Sequence, residues 1–115
     1  MNFAKPILIC DANEEFRGLV REMLTKNGFF HIVEASNSAE AIHILREKKE
    51  YFIIIHPSLL DQELTQQLSH SKDFLVLADS NQNETALLAT RLGVNHILSF
   101  PFHSRKLMEK INSLI

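Results

Sequence analysis

Apolar positions along this chain of 115 residues switch repeatedly between two spacings. Residues 7–10, "ILIC", form a short continuous apolar run, the pattern of a strand buried on both faces. In the following "DANEEFRGLVREMLTKNG", Phe16, Leu19, Val20, Met23 and Leu24 recur at helical spacing and predict one inward face. Glu14 and Glu15 fall in that helix's first turn, where the dipole favours them, and Gly28 supplies a left-handed stop. "FFHIVEA" predicts a second strand. "NSAEAIHILREKK" predicts a second helix, opened by Asn37 with Glu40 in a capping-box spacing and facing inward through Ala41, Ile44 and Leu45. "YFIII" is a third strand. "DQELTQQLSHS" is a weaker helix with Leu64 and Leu68 on one side. "FLVLA" and "NHILS" are the fourth and fifth strands. Between them "NQNETALLATRLG" predicts a fourth helix with Leu88, Ala89 and Leu92 inward and Gly93 as its stop. "HSRKLMEKINSLI" predicts a last helix packed through Leu107, Met108, Ile111, Leu114 and Ile115.

Five apolar strands alternating with five amphipathic helices predict an α/β domain, a (βα)5 doubly wound parallel sheet covered on both faces. Right-handed crossovers leave few topologies. Ligands of such sheets sit beyond the carboxyl ends of the strands. Asp11, His56, Ala78 with Asp79, and Ser99 with Phe100 fall at or just past those ends. The third strand poses the sharpest question, because its run Phe52–Ile55 stops at a histidine with Pro57 directly behind it.

Composition narrows the classes. The length suits one domain, residues 1–115, with one hydrophobic core. A hydrophobic share of 45% and a charged share of 23% describe a globular chain. A formal charge of −2 argues against a nucleic-acid or anionic-membrane partner. The single cysteine excludes an internal disulfide and makes a cytoplasmic location the expectation. The run "ILIC" is too short for a signal peptide or a membrane span.

In order and spacing, the whole chain resembles a bacterial two-component response-regulator receiver domain. "ILICDAN" resembles that family's first strand and acidic loop, "EASNSAEAIHILRE" its second helix, and "ATRLGVNHILSFPF" its fourth helix, fifth strand and Lys-Pro-Phe ending. The resemblance implies a flavodoxin-like sheet with strand order 2-1-3-4-5. It also implies phosphoryl transfer to an aspartate after the third strand, with Mg²⁺ held by an acidic pair and the phosphoryl oxygens held by a hydroxyl and a lysine. Carried over by position, Asp11 matches the first acidic residue. Ala12 stands at the second, His56 at the phosphoacceptor, Ala78 at the hydroxyl and Phe100 at the lysine. Ile97 replaces the aromatic residue that reports the family's switch. Losing two acids, a hydroxyl and a cation together removes a costly polar cluster as a unit, which points to a degenerate pseudo-receiver. The resemblance further implies a cis peptide bond before Pro101.

The candidate residues have plainer readings beside the chemical ones. Asp11 alone is a poor Mg²⁺ ligand, and is expected to cap the first helix or pair with His56. His56 is expected to fill the old pocket, bonded to Asp11 or backbone; a phosphoacceptor or zinc-ligand role is the alternative, without a third ligand at recognisable spacing. Asp61 and Asp79 read as loop or cap residues. Cys10 reads as a small buried hydrophobe rather than a redox sensor. His31, His43, His70, His96 and His103 are scattered without metal spacing and are expected at the surface. Arg105 and Lys106 sit in the first turn of the last helix, where the dipole disfavours cations, as solvated charges or as part of a partner face.

These readings predict a non-enzymatic signalling module without a cofactor, Mg²⁺ included. It acts by binding a protein or a second copy of itself through the fourth helix, fifth strand and fifth helix. On that face Leu87, off its helix's buried stripe, joins Ile97, Arg105 and Lys106. The rival readings are a receiver phosphorylated on an unusual residue, His56 or Asp61, and a flavodoxin-like domain that binds a metal or small ligand.

Overall fold

The computed structural model describes residues 4–47, 50–68, 74–78, 97–99 and 101–115. Five strands, β1 (Ile7–Cys10), β2 (Ile32–Ala35), β3 (Phe52–Ile55), β4 (Phe74–Ala78) and β5 (Ile97–Ser99), form one sheet in the order β2-β1-β3-β4-β5. Every pairing is parallel, with Cys10 beside Ala35 on one side and Ile55 on the other, and Ala78 beside Ser99. Helices α1 (Glu14–Lys26), α2 (Ser38–Leu45) and α3 (Gln62–Leu68) follow the first three strands, and a C-terminal helix spans Ser104–Leu114. The expected fourth helix, with Leu87, lies outside the described residues, as do Asp79, His70, His96 and the Phe100–Pro101 bond.

Alternation along the strands divides the core between the two faces of the sheet. Ile7, Ile9, Phe52, Ile54, Leu75 and Leu77 pack with Val20 and Leu24 of α1 and with Leu107, Met108 and Ile111 of the C-terminal helix. Leu8, Cys10, Ile53, Ile55 and Val76 pack on the other face with Ala41 and Ile42 of α2 and with Leu64 and Leu68 of α3. Double coverage explains why the strands read as unbroken apolar runs.

The helix ends follow local hydrogen-bond chemistry. Gly28 takes φ 99°, and the amides of Gly28 and Phe29 bond back to the carbonyls of Thr25 and Leu24, a Schellman stop that buries Phe29 against Leu24. Asn37 caps α2 by accepting from the Glu40 amide at 2.8 Å. The Glu40 carboxylate reaches back one residue further than the capping box requires, accepting from the amide and the hydroxyl of Ser36.

Several expectations change in the structure. α1 is capped by Asn13, whose side chain accepts from the Phe16 amide at 3.0 Å; Asp11 stands outside the helix. Leu19, expected on the buried stripe, is 36% exposed because Phe16, Val20, Met23 and Leu24 already cover the sheet. The second strand is shorter than "FFHIVEA": Phe29 belongs to the helix stop and Phe30 is 74% exposed. Ile42, not singled out by periodicity, is buried in α2, whereas Ile44 and Leu45 are only partly covered.

Candidate functional site at the carboxyl ends of the strands

Neighbouring strands β1 and β3 deliver Asp11 and His56 to the same end of the sheet, where the His56 amide donates to the Cys10 carbonyl at 2.8 Å. Asp11 is 5% exposed, the buried charged residue among those described. Its Oδ1 accepts from the Asn13 amide at 2.9 Å, so this carboxylate braces the turn that Asn13 then uses to cap α1. Ala12, between them, is exposed and contributes a methyl group.

An arginine that sequence reasoning passed over fixes this loop from the other side. Arg17 donates through Nη1 to the Asp11 carbonyl at 2.7 Å and through Nε to Glu34 Oε1 at 3.1 Å. Arg21, one turn later, donates to Glu34 Oε2 at 2.6 Å. The three side chains form an Arg–Glu–Arg bridge from α1 to β2, with Arg17 only 14% exposed. Its signal was present as two arginines four apart on α1 and one acid inside the β2 text, but nothing local showed that they meet.

His56 has a structural task of its own. It is the N-cap of a 3-10 turn, Pro57–Leu59, and Pro57 occupies the first position, where a missing amide hydrogen costs nothing. The Ser58 amide donates to His56 Nδ1 at 3.1 Å, and the Ser58 hydroxyl lies 2.7 Å from the same nitrogen. A backbone amide can only donate, so Nδ1 carries the lone pair and the neutral ring's proton resides on Nε2. Asp61 ends the loop as the cap of α3: its Oδ1 accepts from the Leu64 amide at 2.8 Å and its Oδ2 from the Ser38 hydroxyl at 2.5 Å. These bonds, Ser38 first, hold its carboxyl below the ordinary value.

On the neighbouring strands Ala78 is buried with no polar side-chain atom, Ser99 is half-buried, and Ile97 packs against the α2–α3 side of the core. Cys10 is buried, and burial together with the adjacent Asp11 charge pushes its thiol up to about 12, which suppresses thiolate chemistry. Arg105 and Lys106 are exposed in the first turn of the C-terminal helix, and His103, its cap residue, makes no side-chain capping bond. His31, His43 and His103 are exposed. Among the described residues no three His, Cys, Asp or Glu side chains gather as a metal-holding group, and no helix is long and apolar enough to cross a membrane.

Comparison with known proteins agrees with this fold. The chemotaxis protein CheY of Bacillus subtilis is 23% identical over 97% of this chain and 98% of its own length. A receiver domain protein of Clostridium thermocellum superposes with a TM-score of 0.78 at 22% identity, covering 96% of this chain and 94% of that one. The receiver domain of Saccharomyces cerevisiae Ssk1, solved with the histidine phosphotransfer protein Ypd1, superposes with a TM-score of 0.74 at 20% identity, covering 96% and 88%. The model of the response regulator receiver domain matches residues 7–112, nearly the whole sheet and its helices, and the chain belongs to that family.

Proposed function

We propose that this receiver domain signals without accepting a phosphoryl group and acts by binding a protein partner. The observation that carries the reading is the state of the imidazole at the acceptor position. Its one lone-pair nitrogen is engaged by the Ser58 amide and hydroxyl, so an attack on phosphorus through either nitrogen first requires that cap to be given up. Asp61, the other candidate acceptor, is committed to the α3 cap and to Ser38.

The surroundings support the same reading. Mg²⁺ is held by hard oxygen ligands. Here Asp11 offers one carboxylate, with Oδ1 already accepting from Asn13, while Ala12 and Ala78 offer methyl groups. These residues do not fit a Mg²⁺ site. Binding of a protein partner draws support from the Ssk1 receiver domain, which was solved with the histidine phosphotransfer protein Ypd1. The face assigned to binding is that of Ile97, Arg105, Lys106 and Leu87.

The test is Mg²⁺-dependent binding of beryllofluoride to the wild-type chain, followed by amide chemical shifts. No saturable change is expected. Stoichiometric binding would establish a working phosphoacceptor and overturn the proposal. For the face, Arg105→Glu with Lys106→Glu, or Leu87→Asp, is expected to weaken the partner while the far-ultraviolet spectrum is kept; unchanged affinity would move the interface elsewhere.

A further inference from the structure

Among the described residues β2 pairs with β1 alone and forms one edge of the sheet. The Ile7 amide donates to the His31 carbonyl, and the Asp11 amide to the Ala35 carbonyl. Backbone groups alternate along a strand, so His31, Val33 and Ala35 turn theirs toward β1, while Ile32 and Glu34 turn their amides and carbonyls outward. Native proteins usually blunt such an edge with lysine, proline or a bulge. "HIVEA" has none of these: its register with β1 is unbroken from Ile32 to Ala35, and its acid, Glu34, is already bonded to Arg17 and Arg21. Just before it stands Phe30, 74% exposed, the most exposed large apolar side chain among the described residues. Ile32 packs on the α1 side of the sheet and Glu34 reaches α1, so the alternation sets Phe30 on that side too.

We propose that β2 pairs antiparallel with β2 of a second copy of this chain, about a twofold axis at Ile32, and so joins two sheets into one. Ile32 then faces Ile32 of the second copy as a hydrogen-bonded pair, each amide donating to the other's carbonyl. Of the registers that bring outward groups face to face, this one sets Phe30 opposite Glu34 of the second copy, on the same face of the sheet. There its ring meets the Arg21 guanidinium that Glu34 holds, which is 47% exposed. A slip of one residue would set outward groups against inward ones and lose the bonds. A second copy fits this edge better than an unrelated strand, because the chain supplies both halves of the contact, a ring before the strand and a cation beside its far end. The pairing goes beyond the reading above, does not rest on it, and uses a different surface from that of Arg105 and Lys106.

The test is sedimentation velocity of the full chain from about 10 µM to about 1 mM, since a short strand pair makes a weak, concentration-dependent dimer. The sedimentation coefficient should rise with concentration. Amide hydrogen exchange, followed by NMR, should slow at Ile32 and Glu34 in the concentrated sample, while Val33 and Ala35, already paired with β1, stay unchanged. Phe30→Asp alters an exposed side chain and sets an acid opposite Glu34 of the second copy; it should weaken the dimer at least about tenfold. Ile32→Pro removes the central outward amide, a change an edge strand tolerates, and should abolish the dimer while the far-ultraviolet spectrum is kept. Arg105→Glu with Lys106→Glu should leave it intact. A monomer across the whole range would overturn the proposal. So would a dimer in which exchange at Ile32 and Glu34 is not slowed, or one that Phe30→Asp leaves unchanged.

Discussion

The two loops that leave the paired strands β1 and β3 start side by side and are held in different ways. The loop after β1, residues 11–13, is stapled over a long sequence distance: buried Asp11 braces its turn, and Arg17 ties the Asp11 carbonyl to Glu34 of β2. The loop after β3, residues 56–61, leans on caps: His56 starts a 3-10 turn, Asp61 starts α3, and Ser38 of α2 reaches across to Asp61. The first loop spends its charges on tertiary structure, the second its polar atoms on helix starts. The comparison teaches that the described polar residues of these two loops are engaged by nearby backbone and side-chain groups, one loop across the sheet and the other at helix starts.

The strongest way to break that comparison is to give the second loop a carboxylate. In His56→Asp the new acid faces Asp11 without a metal-ligating neighbour at Ala12. Two nearby carboxylates repel, one pKa rises, and a proton neutralises the pair. No Mg²⁺-dependent beryllofluoride binding is expected by NMR in this variant. The combined variant His56→Asp, Ala12→Asp, Ala78→Thr, Phe100→Lys is expected to regain some. Stoichiometric binding by the single variant would mean that the loops already form a working site.

A smaller effect probes the staple. Arg17→Ala leaves the Asp11 carbonyl without this donor and Glu34 with Arg21 as its remaining arginine. A loss of about 2 kcal/mol is expected in urea unfolding, between the values for exposed and for buried charged pairs. Ser58→Ala, which removes a hydroxyl from the second loop, should cost less than about 0.5 kcal/mol. Equal costs would erase the distinction between the loops.

Caps come next in size. Asn13→Ala removes the acceptor for the Phe16 amide and should cost about 1 kcal/mol. Asp11→Asn, by contrast, keeps an acceptor for the Asn13 amide and leaves α1 its own cap. A larger loss for Asp11→Asn than for Asn13→Ala would show that the buried charge, not the cap, holds the first loop.

The gentlest probe is acid. Asp61 titrates below its ordinary 3.8 because the Ser38 hydroxyl and the Leu64 amide bond the charged form, and Glu40 titrates below 4.5 because Ser36 does the same. Groups with lowered folded pKa values contribute stability that is complete above their unfolded values and fades as pH falls through the folded ones. The melting temperature should therefore drop below about pH 4. Asp61→Asn should flatten part of that limb, and an unchanged acid limb would deny the cap its charge dependence.

Much of the domain could be read from residue order because its determinants are short-range. Apolar runs and helical stripes placed all five strands, and the hydrogen-bonding chemistry of Asn37 with Glu40 and of Gly28 located two helix ends. The candidate site was readable only as a row of positions. That Asp61 would act as a cap followed from its place before α3, but the helix-capping role given to Asp11 belonged to Asn13, two residues on, because both can accept from a nearby amide and only the chain's path chooses between them. His56 gave no local sign that its Nδ1 would serve Ser58.

By itself, then, the amino-acid order located the described strands and helices and most of their inward positions, though not Leu19, Ile42, Ile44 or Leu45, since period and propensity act within a few residues. The fold decided what those faces meet. Glu34 finds Arg17 across 17 positions and Asp61 finds Ser38 across 23. Leu19 is left partly exposed because four neighbours already cover the sheet. Such pairings depend on strand order and on the reach of side chains between elements, and hydrophobic periodicity specifies a direction without naming the partner that lies along it.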